Sequence, residues 1–156
     1  MCALDPLLLI PRIEYVTDVY EFVRSQPNGY SMVILDMKNF HVINDLYGYD
    51  VGDSVIEKFM AELRKRLPLG SVSLRFRHGD EFLFFVPDAV SPVESLFNAF
   101  RDVCEAVPAQ TTAGETIFVS YRFAALKVLP EESVQQLLTR AENALRAVKG
   151  QGSPRS

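Results

Sequence analysis

The stretch from Val72 to Val86 restricts the fold more than any other part of the chain. Residues 72 to 77 alternate, with Val72, Leu74 and Phe76 on one face and Ser73, Arg75 and Arg77 on the other. Glu81-Phe82-Leu83-Phe84-Phe85-Val86 is a second β-type run, apolar almost throughout. The link His78-Gly79-Asp80 is short, so the two runs read as a β-hairpin. A two-residue type I′ turn would hold His78 at positive φ, at a cost of about 1 kcal/mol relative to glycine.

The flanking segments supply the remaining elements. Val16, Val19, Tyr20, Phe22 and Val23 recur at helical spacing within residues 13 to 25, and Ser25-Gln26-Pro27-Asn28-Gly29 breaks that helix. Tyr30 to Leu35 reads as a buried strand with Asp36 at its C-terminal end. Val55, Ile56, Phe59, Met60, Leu63 and Leu67 form the stripe of a helix over 54–67. Its start is a Ser54–Glu57 capping box or an Asp53 N-cap. Ser91-Pro92-Val93-Glu94 reads as the start of another helix, with serine as N-cap and proline at the first helical position. Ile117 to Val128 predicts one long strand. Ser133 and Gln136 cap a last helix, which Gly150 and Gly152 stop.

After the leading helix the order is βαββαβ with a closing helix. This predicts an α+β fold, a ferredoxin-like palm with an antiparallel central sheet. Residues 1–152 are expected to form a single domain, with 153–156 a loose tail. At 156 residues and 48% hydrophobic content the chain can bury one sizeable core. A net charge of −4 argues against broad binding to nucleic-acid backbones. No apolar run reaches the roughly 20 residues that span a bilayer, so no membrane segment is expected. The residues after Met1 lack the basic stretch of a secretory signal. The cysteines, Cys2 and Cys104, have no metal-ligand spacing, and a reducing cytoplasm is the expected location.

Acidic residues stand at the ends of the predicted strands. Asp36 closes the first, and Asp80-Glu81 opens the second arm of the hairpin. Three carboxylates so placed suggest a cage for a divalent cation on a nucleoside triphosphate. The plainer alternative is a set of turn-capping acids. Asn44 and Asp53 suit the edge of guanine, whose N–H donors match a carboxylate and whose acceptors match an amide. Taken singly, Asn44 is also an ordinary turn residue and Asp53 an ordinary N-cap. Lys149 either complements the dipole of the last helix or contacts phosphate. A glycine in place of His78 would let a phosphate approach the backbone more closely. Cys104 reads as a small core residue.

Together these segments resemble the GGDEF family of bacterial diguanylate cyclases. The family pattern D-x-D-h-F-K-x-I-N-D-x-x-G-H-x-x-G-D is similar to the run from Asp36 through Asn44 and Gly48 to Gly52-Asp53, and the signature hairpin appears as His78-Gly79-Asp80-Glu81-Phe82. The closing pattern A-D-x-A-L-Y-x-A-K-x-x-G is echoed from Ala141 through Lys149 to Gly152. The resemblance covers nearly the whole chain and implies a nucleotidyltransferase that condenses two GTP into cyclic di-GMP. It implies a homodimer, or pairing with another GGDEF-type subunit. Asp36, the carbonyl of Met37 and Asp80 would hold the metal, with Glu81 activating the attacking 3′-hydroxyl. Asn44 and Asp53 would read guanine, and Lys149, His41, His78 and Gly79 would lie at the phosphates.

The chain also departs from the pattern. His78 stands at the first signature glycine, Lys38 at the second aspartate of D-x-D, and His41 at the lysine. Ser153 replaces an arginine, Arg122 a glycine, and Phe76 an arginine before the hairpin. The product-inhibition motif R-x-x-D falls on Leu69 and Val72. The expected activity is therefore low. The alternative is a degenerate module that binds GTP or a protein partner and regulates without catalysis.

Overall fold

A strand with no polar face needs cover on both sides, and Ser31–Met37 has it: all seven of its residues are buried. The computed structural model describes residues 13–76, 80–106, 109–110, 114 and 116–151. In chain order these form a 3₁₀ turn (Ile13–Tyr15), α1 (Val16–Arg24), β1 (Ser31–Met37), α2 (Phe40–Tyr47), α3 (Tyr49–Arg66), β2 (Val72–Arg75) and β3 (Glu81–Val86). There follow α4 (Val90–Ala106), β4 (Ala109–Gln110), β5 (Thr116–Ile117), β6 (Tyr121–Lys127) and α5 (Val134–Gln151).

The main sheet has the order β2-β3-β1-β6, with every neighbouring pair antiparallel. Helix α3 leads from β1 to β2 and α4 lies between β3 and β6, so each connection skips one strand. This is the expected βαββαβ arrangement. Period-2 alternation splits the sheet's side chains between two cores. Val33, Leu35, Phe82, Phe84 and Phe123 pack with Ile56, Phe59, Phe97 and Phe100 of α3 and α4. Met32, Ile34, Leu83 and Phe85 pack with Tyr20 of α1 and with Leu137, Ala141 and Leu145 of α5. Each fully buried phenylalanine contributes about 1.5–3 kcal/mol relative to exposure.

The Ser133–Gln136 capping box forms in both directions. Gln136 N donates to Ser133 Oγ at 3.1 Å, and Ser133 N donates to Gln136 Oε1 at 2.9 Å. Other local expectations change. Helix α2 is an element beyond those read from the sequence, with Phe40 and Ile43 buried and Tyr47 packed on the core. It follows Asn39, which holds φ 55°, a conformation asparagine tolerates. Helix α3 starts at Tyr49, so Asp53 and Ser54 lie within it and neither caps its start. Helix α4 starts at Val90, ahead of Ser91, and Asp88 Oδ1 accepts from Ala89 N at 2.7 Å. The stretch 117–128 divides, because β5 pairs with β4 while β6 joins the main sheet. Helix α5 continues through Gly150 to Gln151.

Candidate active site

The C-terminal end of β1 is fixed from both sides. Met37 N donates to Asp80 O at 3.0 Å, and Lys38 N donates to Ser120 O at 2.9 Å. The register then sets Glu81 opposite Asp36 on one side and Arg122 opposite it on the other. The hairpin expected from the sequence is paired through Arg75↔Phe82 and extended by Phe76 N donating to Glu81 O at 2.8 Å. Of its turn, Asp80 is described; His78 and Gly79 lie outside the described residues.

Asp36, Asp80 and Glu81 each offer a carboxylate oxygen within 4.8 Å of the others'. Asp36 is buried, while Asp80 and Glu81 are half-buried. A buried carboxylate needs a partner, because desolvation of an uncompensated charge costs several kcal/mol. Asp36 has two. Lys149 Nζ lies 2.9 Å from its Oδ2, and Arg122 Nη2 lies 3.6 Å from the same oxygen. The lysine reaches it for a geometric reason. Met32 and Ile34 face α5, and Asp36 continues their side of the strand. The last turn of α5 therefore ends over the acid.

Among the described residues, the cations at Asp36 are thus Lys149 and Arg122. Arg122 appears in the sequence only as a departure from a pattern. A period-2 reading of residues 122, 124 and 126 would have set it on the face of Ala124 and Leu126. Its closeness to Asp36 needs the strand register as well. The Nε of Arg122 is buried without a hydrogen-bond partner.

A second group of predicted residues lies at the α2–α3 corner. Gly48, at φ 90°, separates the two helices, and its N–H donates to Asn44 O at 2.8 Å. The Asn44 side chain is half-buried, with Oδ1 buried and unpartnered. It rests on Gly52, where an added Cβ would lie 1.8 Å from that oxygen. Asp53, the next residue along α3, is exposed, as is His41 in the first turn of α2. Met37 is buried. The structure thus joins Asp36, Asp80, Glu81 and Lys149 in one cluster, and sets Asn44 beside the residue preceding Asp53.

Three carboxylate oxygens in one cluster fit a hard divalent ion such as Mg²⁺ or Mn²⁺. Fold and cluster together define a palm-like α+β domain with an acidic centre at the ends of its middle strands. Residues 14–155 match the family described as "Diguanylate cyclase, GGDEF domain", and the chain belongs to this family. It is 28% identical over 156 residues to diguanylate cyclase DgcP of Pseudomonas aeruginosa, covering 97% of this chain and 23% of that protein. It is 26% identical over 125 residues to diguanylate cyclase DgcS of Shewanella oneidensis, covering 78% of this chain and 40% of that protein. The chain spans well under half the length of these curated relatives.

Solved structures agree on the fold. Diguanylate cyclase SiaD of Pseudomonas aeruginosa, solved with its activator SiaC, matches with a TM-score of 0.83 at 23% identity, covering 96% of this chain and 58% of that one. The GGDEF domain of DgcB from Caulobacter crescentus, solved with c-di-GMP, matches with a TM-score of 0.82 at 20% identity, covering 94% and 87%.

Proposed function

We propose that this chain is a diguanylate cyclase domain, with residues 1–152 as its unit, that condenses two GTP into cyclic di-GMP. The convergence of Asp36, Asp80 and Glu81 within 4.8 Å carries this reading. Asp36, Asp80 and the Met37 carbonyl would hold Mg²⁺ or Mn²⁺, which supplies charge neutralisation on the triphosphate. Glu81 draws the proton from the 3′-hydroxyl and so strengthens it as a nucleophile. Lys149 is two-fifths exposed and can pass from Asp36 to a phosphate oxygen. Asn44, with Oδ1 turned onto Gly52, keeps its amide NH₂ for the acceptors of guanine, and Asp53 takes the base's N–H donors. His41, His78 and Gly79 would lie along the phosphates.

Two such sites must face each other. Each 3′-hydroxyl oxygen bonds to the α-phosphorus held by the opposite subunit, and each bond formed releases one pyrophosphate. A homodimer, or a pair with another GGDEF-type subunit, supplies this geometry, and proximity and alignment then provide most of the acceleration. Among the described residues no helix is long and apolar enough to cross a membrane. GTP as substrate places the reaction in the cytoplasm.

One observation favours a second reading, GTP binding without turnover: two cations already occupy the ligand oxygen of Asp36. The two separate in an assay of purified protein at high concentration with GTP and Mg²⁺. Cyclic di-GMP formation that is lost in Asp80→Ala supports the enzyme. Saturable GTP binding with no product supports the binding module.

A further inference from the structure

Lys149 and Arg122 both approach Oδ2 of Asp36, but they are not equivalent. The lysine side chain is 39% exposed and sits on the last turn of a helix, so it can swing away. The arginine side chain is 15% exposed and rises from β6, directly across the ladder from Asp36. Its strand position places it on the face of Ala124 and Leu126, where most of the side chain is enclosed. A guanidinium also keeps its charge at every pH a protein survives. The arginine's charge is thus a permanent part of the acid cluster, while the lysine's is exchangeable.

We infer that Arg122 is a fixed internal counter-ion of the metal centre, which lowers this chain's affinity for divalent cations. The inference rests on the metal-binding reading of Asp36, Asp80 and Glu81 given above. Two effects act in the same direction. The guanidinium attracts the carboxylate oxygen that the ion needs, and it repels the ion over a few ångströms among largely buried groups, where Coulomb terms are several times stronger than in bulk water. Together they predict a site about tenfold or more weaker than the same acids would form without Arg122.

The test is a Mn²⁺ titration of the full chain, read from the paramagnetic resonance signal of the free ion, with no nucleotide present. Arg122→Gln removes the charge and keeps most of the side chain; Arg122→Met does the same should glutamine lower the melting temperature. Either is expected to bind Mn²⁺ about tenfold tighter or more. Arg122→Lys keeps the charge and is expected to stay within a few-fold of the parent. Asp36→Asn should abolish binding in every background. Unchanged affinity in both neutral variants, with binding still lost in Asp36→Asn, overturns the role of Arg122 and leaves the metal reading standing. Equal tightening in the lysine variant overturns it too, since shape rather than charge would then be responsible. Binding that survives Asp36→Asn refutes the metal reading, and the inference falls with it.

Discussion

Gly52→Ala offers a test of base recognition that touches none of the proposed binding groups. Gly52 lies inside α3, where alanine is the better helix former by about 1 kcal/mol. On backbone grounds the substitution should stabilise the chain. The added methyl, however, would lie 1.8 Å from Asn44 Oδ1 and 3.0 Å from its Cγ. The first distance is roughly 1.5 Å inside ordinary van der Waals contact. The other close neighbour, Phe40 Cζ at 3.4 Å, can stay where it is. The amide is the end of a side chain and can rotate away, so the fold should survive. Asn44 then loses the pose in which its NH₂ meets the base. One neutral hydrogen bond lost, with its partner left unpaired in a half-buried site, costs about 1–3 kcal/mol, or roughly 5- to 150-fold in Kd. The assay pairs calorimetric titration with a non-hydrolysable GTP analogue and a thermal melt. The expected result is a melting temperature at or near the parent's, with weakened nucleotide binding and reduced preference for guanine over adenine. Parental affinity in a well-folded variant would refute the assignment of Asn44.

Two further outcomes concern stability and reactivity. Ser133→Ala removes half of the reciprocal cap on α5 and should cost about 1 kcal/mol in a denaturant melt; a change within error would mean that the cap hydrogen bonds contribute nothing net. Burial pushes the Cys104 thiol from an ordinary value of 9.0 up to about 11. With Cys2 replaced by serine, iodoacetamide should label the folded protein slowly at pH 8 and faster as the pH nears 11. The folded thiol keeps its proton where the unfolded one has lost it. Its contribution to stability is therefore full below about pH 9 and declines as the pH rises toward 11. Rapid labelling at pH 8 would show that the thiol is open to solvent.

The parts of this fold that the sequence discloses are those whose physics is local. Met32 to Leu35 and Phe82 to Val86 are short apolar runs without alternation, rich in β-branched and aromatic residues, which suit strands covered on both faces. Ser133 and Gln136 are separated by the spacing a capping box needs. The three acids could be nominated because strand ends and a short turn mark them. What stayed hidden depends on distant partners. Helix α2 is a short element whose Phe40, Ile43 and Tyr47 keep helical spacing, but its leading Asn39 is left-handed and makes no side-chain cap bond. The packing of Asn44 against Gly52 is visible only once α2 and α3 meet at their corner. Arg122 belongs to the acid cluster only because β6 pairs with β1 in one register, and that register is a property of the sheet.

The seating of α5 bears on how Asp36 is released. Leu137, Ala141 and Leu145 anchor the body of the helix in the core beneath it, while Lys149 rides on the final turn. Terminal turns fray at little free-energy cost, far below that of global unfolding. A brief unwinding of that last turn would lift Lys149 from the acid while Leu137, Ala141 and Leu145 stay seated, leaving Arg122 as the remaining partner of the carboxylate.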